Sequence, residues 1–253
     1  MKVTFLGTGT SQGIPVIGCS CETCKSTDPR DNRLRSSILV EMDGRKIVVD
    51  TGPDFRQQML RHAVTRLDAV VFTHEHRDHI AGLDDIRAFN YLQKQSMDVF
   101  AEESVFKALK YEFPYVFAGK NYPGIPRINE HIISVIPFHV EDILIVPIRV
   151  MHYHLPVLGF RIDNFAYITD ANFIPESEKA KLKGLKVLVV NALRREKHIS
   201  HFTLSEAVEL INELNPEYGL LTHISHQMGR HEDFCKDLPE GITAAYDGLV
   251  VEI

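Results

Sequence analysis

A layered α/β fold is what this sequence predicts, and three observations predict it. Short apolar, β-branched runs recur along the chain, stretches of helical period lie between several of them, and 253 residues are enough for one α/β core. The order mixes runs that follow one another directly with runs followed by a helix, which favours layers of sheet and helix over an all-β barrel. No linker, short repeat or low-complexity tract interrupts the chain, so a single domain over 1–253 is expected.

The elements follow in order. VTFLG (3–7) reads as a first strand, and GTGTSQG (7–13) as a tight glycine turn with neither a Walker nor a dinucleotide pattern. SILVEM (37–42) and KIVVD (46–50) read as adjacent strands, DFRQQMLRHA (54–63) as a helix and AVVFT (69–73) as a buried strand. Helical period returns at 83–92 and 103–113. The segment 110–128 is aromatic and rich in proline and glycine, which predicts a long loop at the edge of the core that shapes a pocket. Strands are expected at 143–150, 165–169, 186–190, 218–222 and 249–253. A helix over 175–184 opens on Pro175 and stops at Gly184, and one over 203–214 opens with Thr203 and Glu206 as a capping box.

Hydrophobic residues make up 44% and charged residues 25%, and no apolar run is long enough to span a bilayer. The first residues lack a signal-peptide core, so a cytoplasmic protein is expected. A net charge of −6 argues against nucleic acid as a partner, because nonspecific backbone binding needs dense Lys and Arg. Three of the four cysteines, Cys19, Cys21 and Cys24, crowd one loop, a poor disulfide framework and a good thiolate site.

Directly after AVVFT comes HEHRDH, which supplies His74, His76, Asp78 and His79. Imidazoles two apart on an extended backbone point the same way and can share one ion. Asp78 and His79, beyond the bend, can turn toward a second. THEHRDH resembles the H-x-H-x-D-H motif of the metallo-β-lactamase superfamily, and the resemblance implies a four-layer αβ/βα sandwich with its metal site at one sheet edge. It also implies further ligands: His152 in IRVMHYHLPVLGFRI, Asp170 in AYITDAN and His223 in LLTHISH. By that resemblance His74, His76 and His152 hold one ion, Asp78, His79 and His223 the other, and Asp170 bridges them. His154 rivals His152, and Asp50 in VVDTG resembles a supporting aspartate that fixes a histidine's orientation.

THISHQMGRH (222–231) carries His223, His226 and His231. With His223 assigned to the pair of ions, His226 is free to complete a structural zinc site with Cys19, Cys21 and Cys24. His231 is read as a solvated loop residue and Cys235 as filler. The cysteine loop together with THISH resembles the phosphoribosyl cyclic phosphate phosphodiesterases of the carbon–phosphorus lyase pathway, a branch near ribonuclease Z.

That resemblance implies hydrolysis of a small phosphodiester, such as phosphoribosyl 1,2-cyclic phosphate, by a two-metal, bridging-hydroxide mechanism with Mn²⁺ or Zn²⁺. Asp78 and His201 are the catalytic candidates, His201 as general acid, and the chain would form a homodimer. Arg194, Arg195 and Lys197 could neutralise a phosphate. Other readings on the same scaffold are tRNA 3′-processing, thioester or lactam hydrolysis, and a non-catalytic carrier related to pyrroloquinoline quinone biosynthesis.

Overall fold

The computed structural model describes residues 1–119 and 124–253. Strands β1 (Lys2–Gly7), β2 (Ser37–Met42), β3 (Arg45–Val49), β4 (Ala69–Val71), β5 (Met97–Ala101) and β6 (Ile128–Ile132) lie in the N-terminal half. The rest are β7 (Phe138–Val140), β8 (Ile143–His152), β9 (Leu155–Ile162), β10 (Phe165–Ile168), β11 (Val187–Asn191), β12 (Tyr218–Thr222), β13 (Ile242–Ala244) and β14 (Val250–Glu252). They form two seven-stranded sheets, ordered β14-β1-β2-β3-β4-β5-β6 and β13-β12-β11-β10-β9-β8-β7. Each sheet is half antiparallel and half parallel, the change falling at β3 in the first and β10 in the second.

Strand periodicity explains the layers. Successive side chains point to opposite faces, so a strand buried on both sides must be apolar throughout. Ile47 and Val49 of β3 face the space between the sheets, where Phe5, Phe160 and Tyr167 pack, while Val48 faces outward onto Phe55 and Met59. On the other sheet Val187 and Val189 point inward, and Leu188 and Val190 meet Leu210 and Ile211. The helices covering the outer faces include α1 (Phe55–Arg61), α2 (Arg77–Ile80), α3 (Arg87–Gln93), α4 (Glu103–Glu112) and α5 (Pro114–Phe117) on the first sheet's side of the chain. Then come α6 (Glu176–Lys179), α7 (Leu204–Leu214) and α8 (His231–Cys235). The expected four-layer αβ/βα sandwich is the fold observed.

Several elements differ from their sequence reading. The helix expected over 175–184 is only α6 followed by a 3₁₀ turn at Ala180–Leu182, with Gly184 at φ +69° ending it. The 83–92 stretch divides into a 3₁₀ turn, Leu83–Ile86, and α3. In 110–128 the chain is not one loop, since α4 runs to Glu112 and α5 follows; residues 120–123 lie outside the described residues. The Tyr115 hydroxyl donates to Asp84 Oδ1 at 2.5 Å, which holds this excursion against the segment just after HEHRDH. The Thr203–Glu206 capping box is present on α7. Among the described residues no helix is long and apolar enough to cross a membrane.

Candidate metal centre

One edge of the sandwich collects the strand ends. Beyond Val49 comes Asp50, beyond Val71 the loop to His74, and beyond Ile168 and Thr222 come Asp170 and His223, while His152 is the last residue of β8. Asp50, Asp170 and His223 have left-handed backbones, with φ of 65°, 53° and 54°. An L-residue there carries about 1–2 kcal/mol of strain. The turn swings each side chain off its strand's alternation and toward its neighbours, so strain sits where the chain needs a fixed aim.

The sequence-predicted residues converge. His74 packs against His76 and His79 at ring-centroid distances of 4.6 and 4.2 Å, and His152 lies 5.1 Å from His76. His79 Nε2 stands 3.2 Å from Asp78 Oδ2 and 3.1 Å from Asp170 Oδ2, and His223 Nε2 is 3.2 Å from Asp170 Oδ1. Donors bound to a common cation at about 2.0–2.1 Å lie about 3.0–3.4 Å apart along the edges of its polyhedron, so these spacings fit a metal. His154, by contrast, is exposed in the turn after β8.

Proton positions sharpen the picture. His152 Nδ1 lies 2.8 Å from the Ser200 carbonyl, and His79 Nδ1 lies 2.7 Å from Asp50 Oδ2; each partner can only accept, so each Nδ1 carries the hydrogen. The Thr73 hydroxyl donates to Asp50 Oδ2 and the Ser36 hydroxyl to the Gly9 carbonyl. Their oxygens are therefore left to accept from His74 Nδ1 at 2.9 Å and His223 Nδ1 at 3.2 Å. In all four rings Nε2 is the atom aimed into the cluster. The buried Nε2 of His74 has no hydrogen-bond partner, an arrangement that costs free energy unless a cation completes it, and that of His79 faces the Asp78 and Asp170 carboxylates. Asp50 thus orients a histidine as read, whereas Thr73, Ser36 and Ser200 carried no signal in the sequence beyond lying near a ligand.

The charge states suit the same purpose. Burial pushes the imidazoles of His74 and His152 down and that of His223 down to about 4, which leaves them neutral at pH 7. Burial opposes ionisation of Asp170, yet His223 and His79 hold its carboxyl well below the usual range; Asp78, also opposed by burial, is held low chiefly by His79. Burial likewise opposes a charge on His79, but Asp170, Asp78 and Asp50 around it raise its pKa well above normal. A ring so surrounded by anions takes either a proton or a metal ion on Nε2.

His201 behaves differently. Its Nε2 lies in hydrogen-bond geometry 3.0 Å from Asp170 Oδ1, and with His152 and Asp170 it makes a further group of donor atoms within 4.8 Å of one another. Thr203 caps α7, which frees His201 from that role.

Backbone approach is equally tight. A Cβ on Gly52 would lie 2.2 Å from the Asp78 carbonyl oxygen. Gly52→Ala must push α2 and its Asp78 aside, so urea unfolding is expected to show a loss of about 1–3 kcal/mol.

The second cluster joins Cys19, Cys21, Cys24 and His226, whose donor atoms all lie within 4.8 Å of one another. Cys19 Sγ and Cys21 Sγ are each 3.4 Å from His226 Nδ1. A tetrahedron with bonds of about 2.0–2.3 Å has edges of about 3.3–3.8 Å, so the set fits zinc. The Cys24 N–H and the His226 ring lower the Cys21 thiol to about 6, while burial pushes Cys24 up to about 11.

His231 is a correction: it is buried, not solvated. Its N–H donates to Asp31 Oδ1 at 2.7 Å, and its Nδ1 accepts from the fully buried Arg33 guanidinium at 3.0 Å. A buried guanidinium needs acceptors, and His231 is one of them. Cys235 packs at the edge of the second sheet's core. Arg194 and Arg195 are engaged with Gln227 Oε1 and Asp237 Oδ2.

Comparison with known proteins agrees with this geometry. The family model described as the beta-lactamase superfamily domain matches residues 45–224. The chain belongs to that superfamily. A solved structure of a diphosphatase from the PhnP family is 38% identical, covering all of this chain and 97% of that one, with a TM-score of 0.93. An octanoyltransferase of Porphyromonas gingivalis is 39% identical over 98% of this chain but 51% of its own length. The chain spans about half the length of the curated relatives it matches first. Zn²⁺-bound PqqB from Methylobacterium extorquens shares the fold at 18% identity, full coverage and a TM-score of 0.81. The superfamily resemblance carried by HEHRDH is borne out, and the branch near ribonuclease Z agrees with the ribonuclease Z of Nanoarchaeum equitans, 26% identical over 65% of this chain and 54% of its own length.

Proposed function

We propose that this member of the superfamily is a metal-dependent phosphodiesterase acting on a small cyclic phosphodiester such as phosphoribosyl 1,2-cyclic phosphate. One observation carries the reading: the two carboxylate oxygens of Asp170 lie 3.0–3.2 Å from the Nε2 atoms of His79, His201 and His223, at the centre of the converging ligands. His74, His76 and His152 would hold one divalent ion, Asp78, His79 and His223 a second, and Asp170 would touch both. A pair of Mn²⁺ or Zn²⁺ ions bound there would polarise a phosphoryl oxygen and lower the pKa of water at neutral pH.

The chain's own residues do the rest. Asp50, Thr73, Ser36 and the Ser200 carbonyl hold the imidazoles in one tautomer, and His201, as the imidazolium, would give its Nε2 proton to the departing alkoxide and be left neutral. Cys19, Cys21, Cys24 and His226 would hold a structural zinc. It would tie the N-terminal loop to the segment that carries His223.

The test is a hydrolysis screen of bis(p-nitrophenyl) phosphate, nucleoside 2′,3′-cyclic phosphates and ribosyl cyclic phosphates with wild type and Asp78→Ala. Hydrolysis of a small diester that falls at least about a hundredfold in the variant supports the reading. Full turnover by Asp78→Ala rules out the two-ion arrangement.

A further inference from the structure

The loop that delivers His201 carries a second imidazole, His198, one helical turn's worth of residues before it. Arg194 ties the loop down: its Nη2 donates to the Lys197 carbonyl at 3.2 Å, its Nε to the Glu196 carbonyl at 3.3 Å and its Nη1 to Gln227 Oε1 at 2.9 Å. Further along, the Ser200 carbonyl takes the Nδ1 hydrogen of His152 at 2.8 Å. Both imidazoles therefore sit on a stretch anchored to the cluster.

The two rings meet through like atoms. His198 Nδ1 stands 3.2 Å from His201 Nδ1, and the ring centroids are 5.1 Å apart. The Ser200 backbone N–H donates to His198 Nδ1 at 3.4 Å, so that atom bears its lone pair and the His198 hydrogen is on Nε2. A second lone pair facing it would repel. His201 therefore carries hydrogen on Nδ1 and donates it to His198 Nδ1, with the Ser200 hydroxyl oxygen 3.1 Å away as another acceptor. Burial, His201 and Arg194 push the His198 imidazole down, which keeps it neutral and able to accept at pH 7.

The structure assigns His198 as the positioning residue of the general acid: its Nδ1 lone pair holds one hydrogen of His201 on Nδ1, which leaves Nε2 as the atom that gives the proton. The inference rests on the phosphodiesterase reading and on His201 as its acid. When the P–O bond to the leaving oxygen breaks, the Nε2 proton passes to that oxygen and the ring is left neutral with its hydrogen on Nδ1. Water then returns a proton to Nε2. Without His198 the neutral ring can place its hydrogen on Nε2, where Asp170 Oδ1 accepts it at 3.0 Å, and the tautomer that the next turnover needs is lost.

Turnover of Zn²⁺-loaded wild type, His198→Phe and His198→Asn is compared on a ribosyl cyclic phosphate, which expels an alkoxide, and on bis(p-nitrophenyl) phosphate, which expels a phenolate. His198→Phe keeps a ring without an acceptor and is expected to lose about 10- to 100-fold on the cyclic ester and far less on the aryl ester. His198→Asn offers Oδ1 near the place of Nδ1 and is expected to recover to within about fivefold of wild type. Nitrogen-15 NMR in alkaline buffer is expected to find the His201 hydrogen on Nδ1 in wild type and on Nε2 in His198→Phe. Equal losses on both esters, no loss on the cyclic ester, no recovery in His198→Asn, or a bare His201 Nδ1 in wild type overturns the assignment. Failure of wild type to cleave either ester overturns the phosphodiesterase reading instead, and the NMR signature still decides what His198 does.

Discussion

Asp170→Ala is expected to lower turnover of a phosphodiester at least about a thousandfold while far-ultraviolet circular dichroism stays that of the two-sheet fold. The size follows from the position of the carboxylate. Its two oxygens lie within 3.0–3.2 Å of His79, His201 and His223, so no other group can replace its charge between both halves of the cluster. Its loss also leaves the buried His79 facing Asp78 and Asp50 alone, and metal content is expected to fall with activity. Activity within tenfold of wild type would mean that Asp170 is a structural anion only.

His201→Ala is expected to act selectively. A general acid contributes about 10²- to 10⁴-fold where the leaving group needs its proton. Cyclic ribosyl or nucleoside phosphates expel an alkoxide and should lose activity in that range. Bis(p-nitrophenyl) phosphate expels a stabilised phenolate and should lose far less. Equal losses on both would assign His201 to holding Asp170, to which it is bonded at 3.0 Å, rather than to proton delivery.

Much of this site was legible because its ligands close apolar strands. AVVFT before His74, AYIT before Asp170 and YGLLT before His223 mark rigid elements that end at one edge, and side chains at such ends are placed by the sheet. What stayed illegible depends on partners distant in sequence. Ser36 looks like an ordinary strand-leading serine until His223, 187 positions away, is seen on its oxygen. His231 reads as solvated because nothing near it in sequence shows that Arg33, 198 positions away, is buried and needs an acceptor. In β9, Pro156 and Gly159 are residues that weaken a strand signal. Yet Pro156 pairs opposite Met151, and Gly159 lets the Tyr167 carbonyl approach to where its Cβ would be 3.0 Å away. β5 and β6 were hidden by polar residues that pair across the strands, as Asp98 does with Asn129 and His131.

Anomalous diffraction at the zinc and manganese edges, from crystals of protein purified without added metal, tests the arrangement most directly. Two peaks about 3.5–4 Å apart are expected beside Asp170, one among His74, His76 and His152 and one among Asp78, His79 and His223. A third belongs among Cys19, Cys21, Cys24 and His226. A single peak shared by His223 and His226, or none within bonding distance of Asp170, would contradict the two-cation site.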